Sequence, residues 1–242
     1  MNRVTVKHLH ISLGDKHIVN DVSLEIESGK IHVLMGPNGS GKSTVLYGLM
    51  GKWPKQTTGS FMLDGREMIH TATEERAKAG LLLVSQNHVA IPGVSVIELL
   101  REAQRAQGKQ TTMSELMKMV KAFASEYEIK PELLERSIFD GFSGGEKKKI
   151  ALLEALVLQP AYALIDEIDT GLDVDALKLV GKGICALQKN GTGILLVTHS
   201  QKILSYIHYD TVSVMKNGNI EQTGGKELVS QIESQGYKEK IE

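Results

Sequence analysis

The sequence predicts an α/β fold: a parallel-sheet core, an antiparallel β region beside it, and a helical insertion. Three observations carry this. Short apolar runs, Ile31 to Met35, Leu81 to Ser85, Tyr162 to Ile165 and Ile194 to Val197, read as buried strands. From 143 to 200 they alternate with helical patterns, and that alternation implies a parallel sheet covered on both faces. Residues 87–141 then differ in character from both flanks, with helical spacing and polar spacers. The expected division is a core of 1–86 and 142–242, which includes the antiparallel region, and an inserted helical subdomain of 87–141. A chain of 242 residues with 41% hydrophobic content can bury a core of that size.

The elements follow in order. Val22, Leu24 and Ile26 alternate with Ser23, Glu25 and Glu27, the period of a half-exposed strand. Ser28-Gly29 turns the chain into the strand 31–35. A helix is expected from Ser43 to Met50. Phe61 and Leu63 alternate before Asp64-Gly65, a hairpin signal. In the insertion, Val96-Ile97-Leu99-Leu100 and Leu116-Met117-Val120-Phe123 have helical spacing. Ser143-Gly144-Gly145-Glu146 opens a helix to about Leu158. Leu177, Val180, Ile184 and Leu187 share one face of the next. Val212 and Val214 alternate, Asn217-Gly218 signals a type I′ turn, and Ile220 returns. The tail, Lys226 to Glu242, reads as one or two short amphipathic helices.

Bulk properties exclude more than they assign. Net charge is −1, which gives no reason to expect nucleic acid. Cys185 is the only cysteine, so no disulfide framework or thiolate metal site is expected. The N-terminus has no apolar signal core. No run approaches the roughly 18 apolar residues of a membrane span. The expectation is a soluble, cytoplasmic chain with no direct membrane insertion, or one in a plastid stroma if the organism has plastids.

The chemistry centres on Gly36-Pro37-Asn38-Gly39-Ser40-Gly41-Lys42-Ser43-Thr44, which fits G-x-x-x-x-G-K-[ST] between a strand and a helix. Glycines let the backbone curl so that its N–H groups and the helix N-terminus converge on a phosphate chain. Lys42 adds a positive charge for the β- and γ-phosphates, and the Ser43 hydroxyl can ligate Mg²⁺. Asp166 and Glu167 end an apolar strand; one carboxylate can hold Mg²⁺ through its water shell and the other can polarise an attacking water. Ser143-x-x-Glu146 is a capping box, and its two glycines exceed what a cap needs. A second phosphate-binding helix end can coexist with the cap. Gln86 and His199 sit at the C-terminal ends of expected strands, where α/β sheets bind ligands. The Lys147-Lys148-Lys149 run reads as a solvated helix face.

Together these residues resemble the ATP-binding-cassette (ABC) ATPases over the whole chain. In that family's terms Gly36 to Thr44 resembles Walker A, Gln86 the Q-loop and Ser143 to Glu146 the signature motif. Tyr162 to Glu167 resembles Walker B, Thr170-Gly171-Leu172-Asp173 the D-loop and His199 the switch histidine. The resemblance implies a RecA-like core, ATP and Mg²⁺ as ligands, and a transient ATP-dependent homodimer. It implies Mg²⁺ on Ser43 and Gln86, with Asp166 acting through water. It also implies Glu167 and His199 as catalytic groups, and Ser143, Gly144, Gly145 and Glu146 closing on the other copy's nucleotide. Within the family, Phe142 to Lys149, Asp166 to Lys178, Ile91-Pro92-Gly93-Val94 and Gln235-Gly236-Tyr237 resemble the SufC branch of SUF iron–sulfur cluster assembly. Transporter ATPases usually have Pro-Thr after Walker B, where Ile168-Asp169 stands here. That branch implies SufB- and SufD-like scaffold partners carrying the cluster, since one cysteine cannot ligate it. The alternatives are a membrane transporter's ATPase subunit and a cassette acting on nucleic acid or ribosomes. Two positions depart from the pattern: Leu13 stands where an aromatic often stacks on adenine, and Lys149 where close relatives often have Arg.

Overall fold

A computed structural model describes residues 2–237 of the chain. β1 (Arg3–Leu13) and β2 (Lys16–Glu27) form a long hairpin, and β3 (Ile31–Met35) leads through the glycine loop into α1 (Lys42–Leu49). β4 (Thr57–Leu63), β5 (Arg66–Glu67), α2 (Thr73–Lys78) and β6 (Leu81–Val84) follow. Next come α3 (Val96–Ala106), α4 (Met113–Glu126), α5 (Glu132–Glu135) and α6 (Gly144–Leu158). The chain then alternates: β7 (Tyr162–Asp166), α7 (Val174–Lys189), β8 (Gly193–Val197) and α8 (Gln201–Leu204). It closes with β9 (Thr211–Lys216), β10 (Asn219–Gly224) and α9 (Lys226–Gln235). The tail expectation beyond residue 237 lies outside the described residues.

The strand order is β5-β4-β1-β2-β10-β9-β3-β8-β7-β6. The run β9-β3-β8-β7-β6 is parallel, and β5-β4-β1-β2 is antiparallel. In the strand ladder β2 and β10 meet at Asn219 and Asp21, where the two halves join. The parallel strands are buried on both faces. Val33, Ala163, Ile165, Ile194 and Leu196 enter a core shared with α3 to α7, whereas Leu34, Leu164, Leu195 and Val197 enter one shared with α1, β1 and β2. Each such side chain contributes about 1.5–3 kcal/mol by leaving water. This two-sided burial is why the strands read as continuous apolar runs. Among the described residues no helix is long and apolar enough to cross a membrane.

Local devices fix the helix ends. Arg76, fully buried, donates to the carbonyls of Gly48 (3.0 Å), Leu49 (2.7 Å) and Ile69 (2.8 Å). It satisfies the orphan carbonyls at the end of α1 and opposes the helix dipole there. At the other helical edge, Ser143 and Glu146 form the capping box at the start of α6. Ser95 with Glu98 and Thr112 with Glu115 do the same for α3 and α4.

Candidate active site

The loop after β3 turns on three glycines with positive φ: Gly36 (150°), Gly39 (80°) and Gly41 (104°). A Cβ on Gly36 would lie 2.1 Å from the Met215 carbonyl oxygen, and one on Gly41 would lie 2.9 Å from the Ile18 carbonyl oxygen. Gly39 is free of close neighbours, so only its φ requires glycine. The loop is therefore shaped from beneath by β9 and the start of β2. Lys42, buried, donates from Nζ to the carbonyls of Gly36 (2.8 Å) and Pro37 (2.9 Å). Burial pushes its pKa down, and the nearby Glu167 and Asp166 carboxylates push it back up. An ammonium has three donors, so one remains for a ligand in the loop.

Asp166, the last residue of β7, is 1% exposed. Its Oδ1 accepts the Ser43 hydroxyl at 3.0 Å, and its Oδ2 is buried without a partner. Burial raises the Asp166 pKa, the Ser43 bond lowers it, Glu167 raises it and Lys42 lowers it, in descending weight. An unpartnered buried carboxylate oxygen beside a hydroxyl is a hard oxygen donor set of the kind Mg²⁺ takes, directly or through its waters. These residues fit the ion.

Glu167 follows with φ 46°, left-handed for a residue with a Cβ. Such a backbone costs of order 1–3 kcal/mol and persists only when its surroundings hold it. Here the Glu167 N–H donates to the Val197 carbonyl at 3.0 Å. The carboxylate accepts from Gln86 Nε2 at 2.8 Å and lies 3.4 Å from His199 Nδ1. Glu167 thus joins the ends of β6, β7 and β8. An open depression of about 460 Å³ is lined by Ile18, Asn38, Gly39, Gly41, Lys42, Ser43, Thr44, Gln86 and Glu167.

The structure brings together Gly36 to Thr44, Gln86, Asp166, Glu167 and His199. It does not bring Ser143 to Glu146 or Asp173 to them. Gly145, Glu146 and Asp173 line a second depression of about 310 Å³, with Leu172 among its other walls. Asp173 caps α7, accepting the Ala176 N–H at 2.8 Å. Glu146 accepts the Ser143 N–H at 2.9 Å and the Lys130 ammonium at 3.1 Å. Those bonds hold its carboxyl down at about 2. Among the described residues no hydrogen bond or ion pair joins 143–146 to 36–44.

Several contributors escaped the sequence reading. Ile18 lines the first depression, whereas Leu13 is half-buried against the core behind it. Lys148 is not merely part of a solvated face: Nζ donates to the Thr170 carbonyl and, at 3.4 Å, to that of Glu167. Asp169 is buried and accepts the Thr198 hydroxyl at 2.9 Å. Thr198 Oγ1 in turn accepts the Ser200 N–H at 2.9 Å, so Asp169 fixes the turn that carries His199.

Comparisons with known proteins identify the family and the fold. The family profile described as "ABC transporter" matches residues 19–170. "Vegetative protein 296" of Bacillus subtilis is 41% identical over 239 residues, 97% of this chain and 91% of that protein. "Probable ATP-dependent transporter ycf16" of Cyanophora paradoxa is 41% identical over 238 residues, 96% of this chain and 92% of that protein. A solved nucleotide-free ATP-binding cassette from an ABC transporter superposes with TM-score 0.78 at 22% identity, covering 97% of this chain and 96% of its own. A dimeric cassette bound to ADP and Pi in a post-hydrolysis state gives TM-score 0.79 at 22% identity, covering 92% of this chain and 98% of its own.

Proposed function

Because the chain belongs to the ABC transporter family of ATP-binding subunits, we propose that it couples ATP hydrolysis to shape change in SufB- and SufD-like scaffold partners. As an ABC ATPase it hydrolyses ATP with Mg²⁺. The finer reading assigns roles to the residues gathered above. Gly36 to Thr44 wrap the triphosphate, and Lys42 neutralises its β- and γ-oxygens. Ser43, Gln86 and Asp166 would hold Mg²⁺ beside the triphosphate. Bound Mg²⁺ supplies charge neutralisation on the phosphates. Glu167 orients and polarises the attacking water, and His199 contacts the γ-phosphate.

One observation carries this assignment: the Glu167 carboxylate is held by Gln86 and His199 at the mouth of the depression that Lys42 and Ser43 line. Glu167→Gln keeps the shape and loses the base. The expected result is Mg-ATP binding close to the parent's with turnover down by about 10²–10⁴. Steady turnover near the parent's rate removes Glu167 from the role. Lys42→Ala, by contrast, weakens nucleotide binding itself.

The signature end closes, in this reading, on the nucleotide of a second copy in an ATP-dependent homodimer. Its separation from the first depression supports that, since one chain alone leaves the two halves apart. The SufC-type partner assignment rests on Ile168-Asp169, Gly171-Leu172-Asp173 and the Phe142 to Lys149 run. Val89 and Ile91, 79% and 43% exposed in the segment that follows Gln86, offer a docking surface. A second reading, the ATPase subunit of a membrane transporter, is favoured by the names of relatives such as the Cyanophora protein. Affinity purification from the native cell separates the two: scaffold proteins co-purify in the first, membrane proteins in the second. The cytoplasm is the proposed location in either case.

A further inference from the structure

The loop 36–41 rests on the turn between β9 and β10, far along the chain. The Gly218 N–H donates to the Ser40 carbonyl at 3.1 Å. The Gly218 carbonyl accepts the Asn20 N–H at 2.8 Å, and Asn20 Nδ2 donates to the Asn217 carbonyl at 2.7 Å. The turn is thereby strapped to β2 on one side and to the loop on the other. Asn217 (φ 47°) and Gly218 (φ 80°) are both left-handed, as a type I′ turn requires. A side chain at Gly218 has no room: its Cβ would lie 2.6 Å from Asn20 Nδ2 and 2.7 Å from the Ile18 carbonyl. A free hairpin turn needs the φ values but not this fit.

We propose that Asn20 and Gly218 are positioning residues for phosphate binding, forming a strut that fixes the Ser40–Gly41 peptide with its N–H turned toward the ligand. A trans peptide is planar, so its C=O and N–H point in opposite directions. The Gly218 N–H holds the Ser40 carbonyl on the underside of the loop. The N–H of the same peptide belongs to Gly41, and it is therefore turned to the other side, where Gly41 lines the depression. Gly41 has φ 104°, and glycine backbones turn over easily. Without the strut this peptide can flip and present an oxygen to the phosphates. A loop that is competent only part of the time binds more weakly by that fraction.

The inference rests on the reading that loop 36–44 holds the phosphate chain, and the test separates the two. Asn20→Ala deletes the side-chain donor and leaves the backbone alone; Gly218→Ala forces the strut apart. Calorimetry measures binding of Mg-ATP and of inorganic tripolyphosphate with Mg²⁺, beside steady-state kinetics and the melting temperature of the nucleotide-free protein. Asn20→Ala is expected to lose affinity for both ligands by the same factor, about 3–10-fold for one weakened hydrogen bond. KM rises, kcat at saturation stays within about twofold of the parent's, and the melting temperature holds. Gly218→Ala loses more; if it does not fold, Asn20→Ala decides alone. Unchanged tripolyphosphate affinity in Asn20→Ala overturns the strut, and so does a fall in kcat with KM unchanged. Lys42→Ala is the reference. If it has lost tripolyphosphate and Asn20→Ala binds it as tightly as the parent, only the strut fails; if Lys42→Ala too binds it as tightly as the parent, the loop is not the phosphate site.

Discussion

The glycine loop 36–41 and the glycine pair 144–145 differ in what surrounds them. At Gly36 and Gly41 an added methyl would run into Met215 and Ile18 at 2.1 and 2.9 Å, and both residues have positive φ. At Gly144 it would meet nothing within 4 Å, and at Gly145 only Leu172 Cδ2 at 3.8 Å. Neither Gly144 nor Gly145 has positive φ. The first loop needs glycine for reasons internal to this chain. The second pair lowers helix propensity at the start of α6 and gains nothing within the chain. The C-terminal end of α1, behind the first loop, is clamped by Arg76. Contacts within the chain account for the glycines of the first loop and not for those of the second pair.

The largest expected effect breaks the comparison directly. Gly36→Ala places its methyl against the Met215 carbonyl and should abolish Mg-ATP binding and lower the melting temperature by several degrees, since overpacking typically costs about 1–3 kcal/mol. Gly144→Ala should leave the melting temperature of the isolated chain unchanged or slightly higher, with single-chain nucleotide affinity intact and turnover reduced. Calorimetry and thermal melts check both. Equal losses of stability in the two variants would erase the distinction.

A smaller effect sharpens it. Burial pushes the Glu154 carboxyl up to about 8, so the fold keeps it neutral where the unfolded chain ionises it. A raised folded pKa gives stability that is whole below about 4.5 and is lost as pH rises toward 8. Glu154→Gln removes that dependence. The variant should melt higher than the parent near pH 8 and nearly the same near pH 4.5. A shift of equal size at both pH values would mean that the carboxyl titrates normally.

The smallest concerns the base. Among the described residues no aromatic side chain lines the first depression; Ile18 is its apolar wall. Part of the roughly 1–3 kcal/mol that a stacking platform contributes is therefore missing. GTP should bind within about tenfold of ATP, or about 1.4 kcal/mol. Calorimetry showing a preference of a hundredfold would mean that another group reads adenine.

The first region was more legible than the second for a physical reason. Gly36 to Thr44 is contiguous, and its strand and helix flank it in sequence, so pattern and φ requirements are read together. Asp166, Gln86 and His199 were found because apolar strands end at or just before each of them. What lies beneath the loop was not legible: Met215, Gly218 and Asn20 reach it only through strand order, and the strand pattern of one segment does not name its neighbour. The Lys147 to Lys149 run was misjudged because charge suggests solvent, yet Lys148 has carbonyls within reach. The Asn217-Gly218 turn was identified correctly as a turn, but its fit against Ile18 and Ser40 is tertiary. At the second region the capping box was legible from Ser143 and Glu146, and the answer to what approaches it, the nucleotide of a second copy, came only as an implication of the family resemblance.

The most direct test of that answer is complementation. Lys42→Ala impairs the phosphate loop and keeps the signature end; Gly145→Asp blocks the signature end and keeps the loop. Each variant alone should hydrolyse ATP slowly. If one site takes its loop from one copy and its signature from another, mixing the two builds one intact composite site per mixed dimer. ATPase activity should then rise well above the sum of the separate variants. A mixture that stays at that sum, although mixed dimers are seen by light scattering or cross-linking, would contradict the composite site.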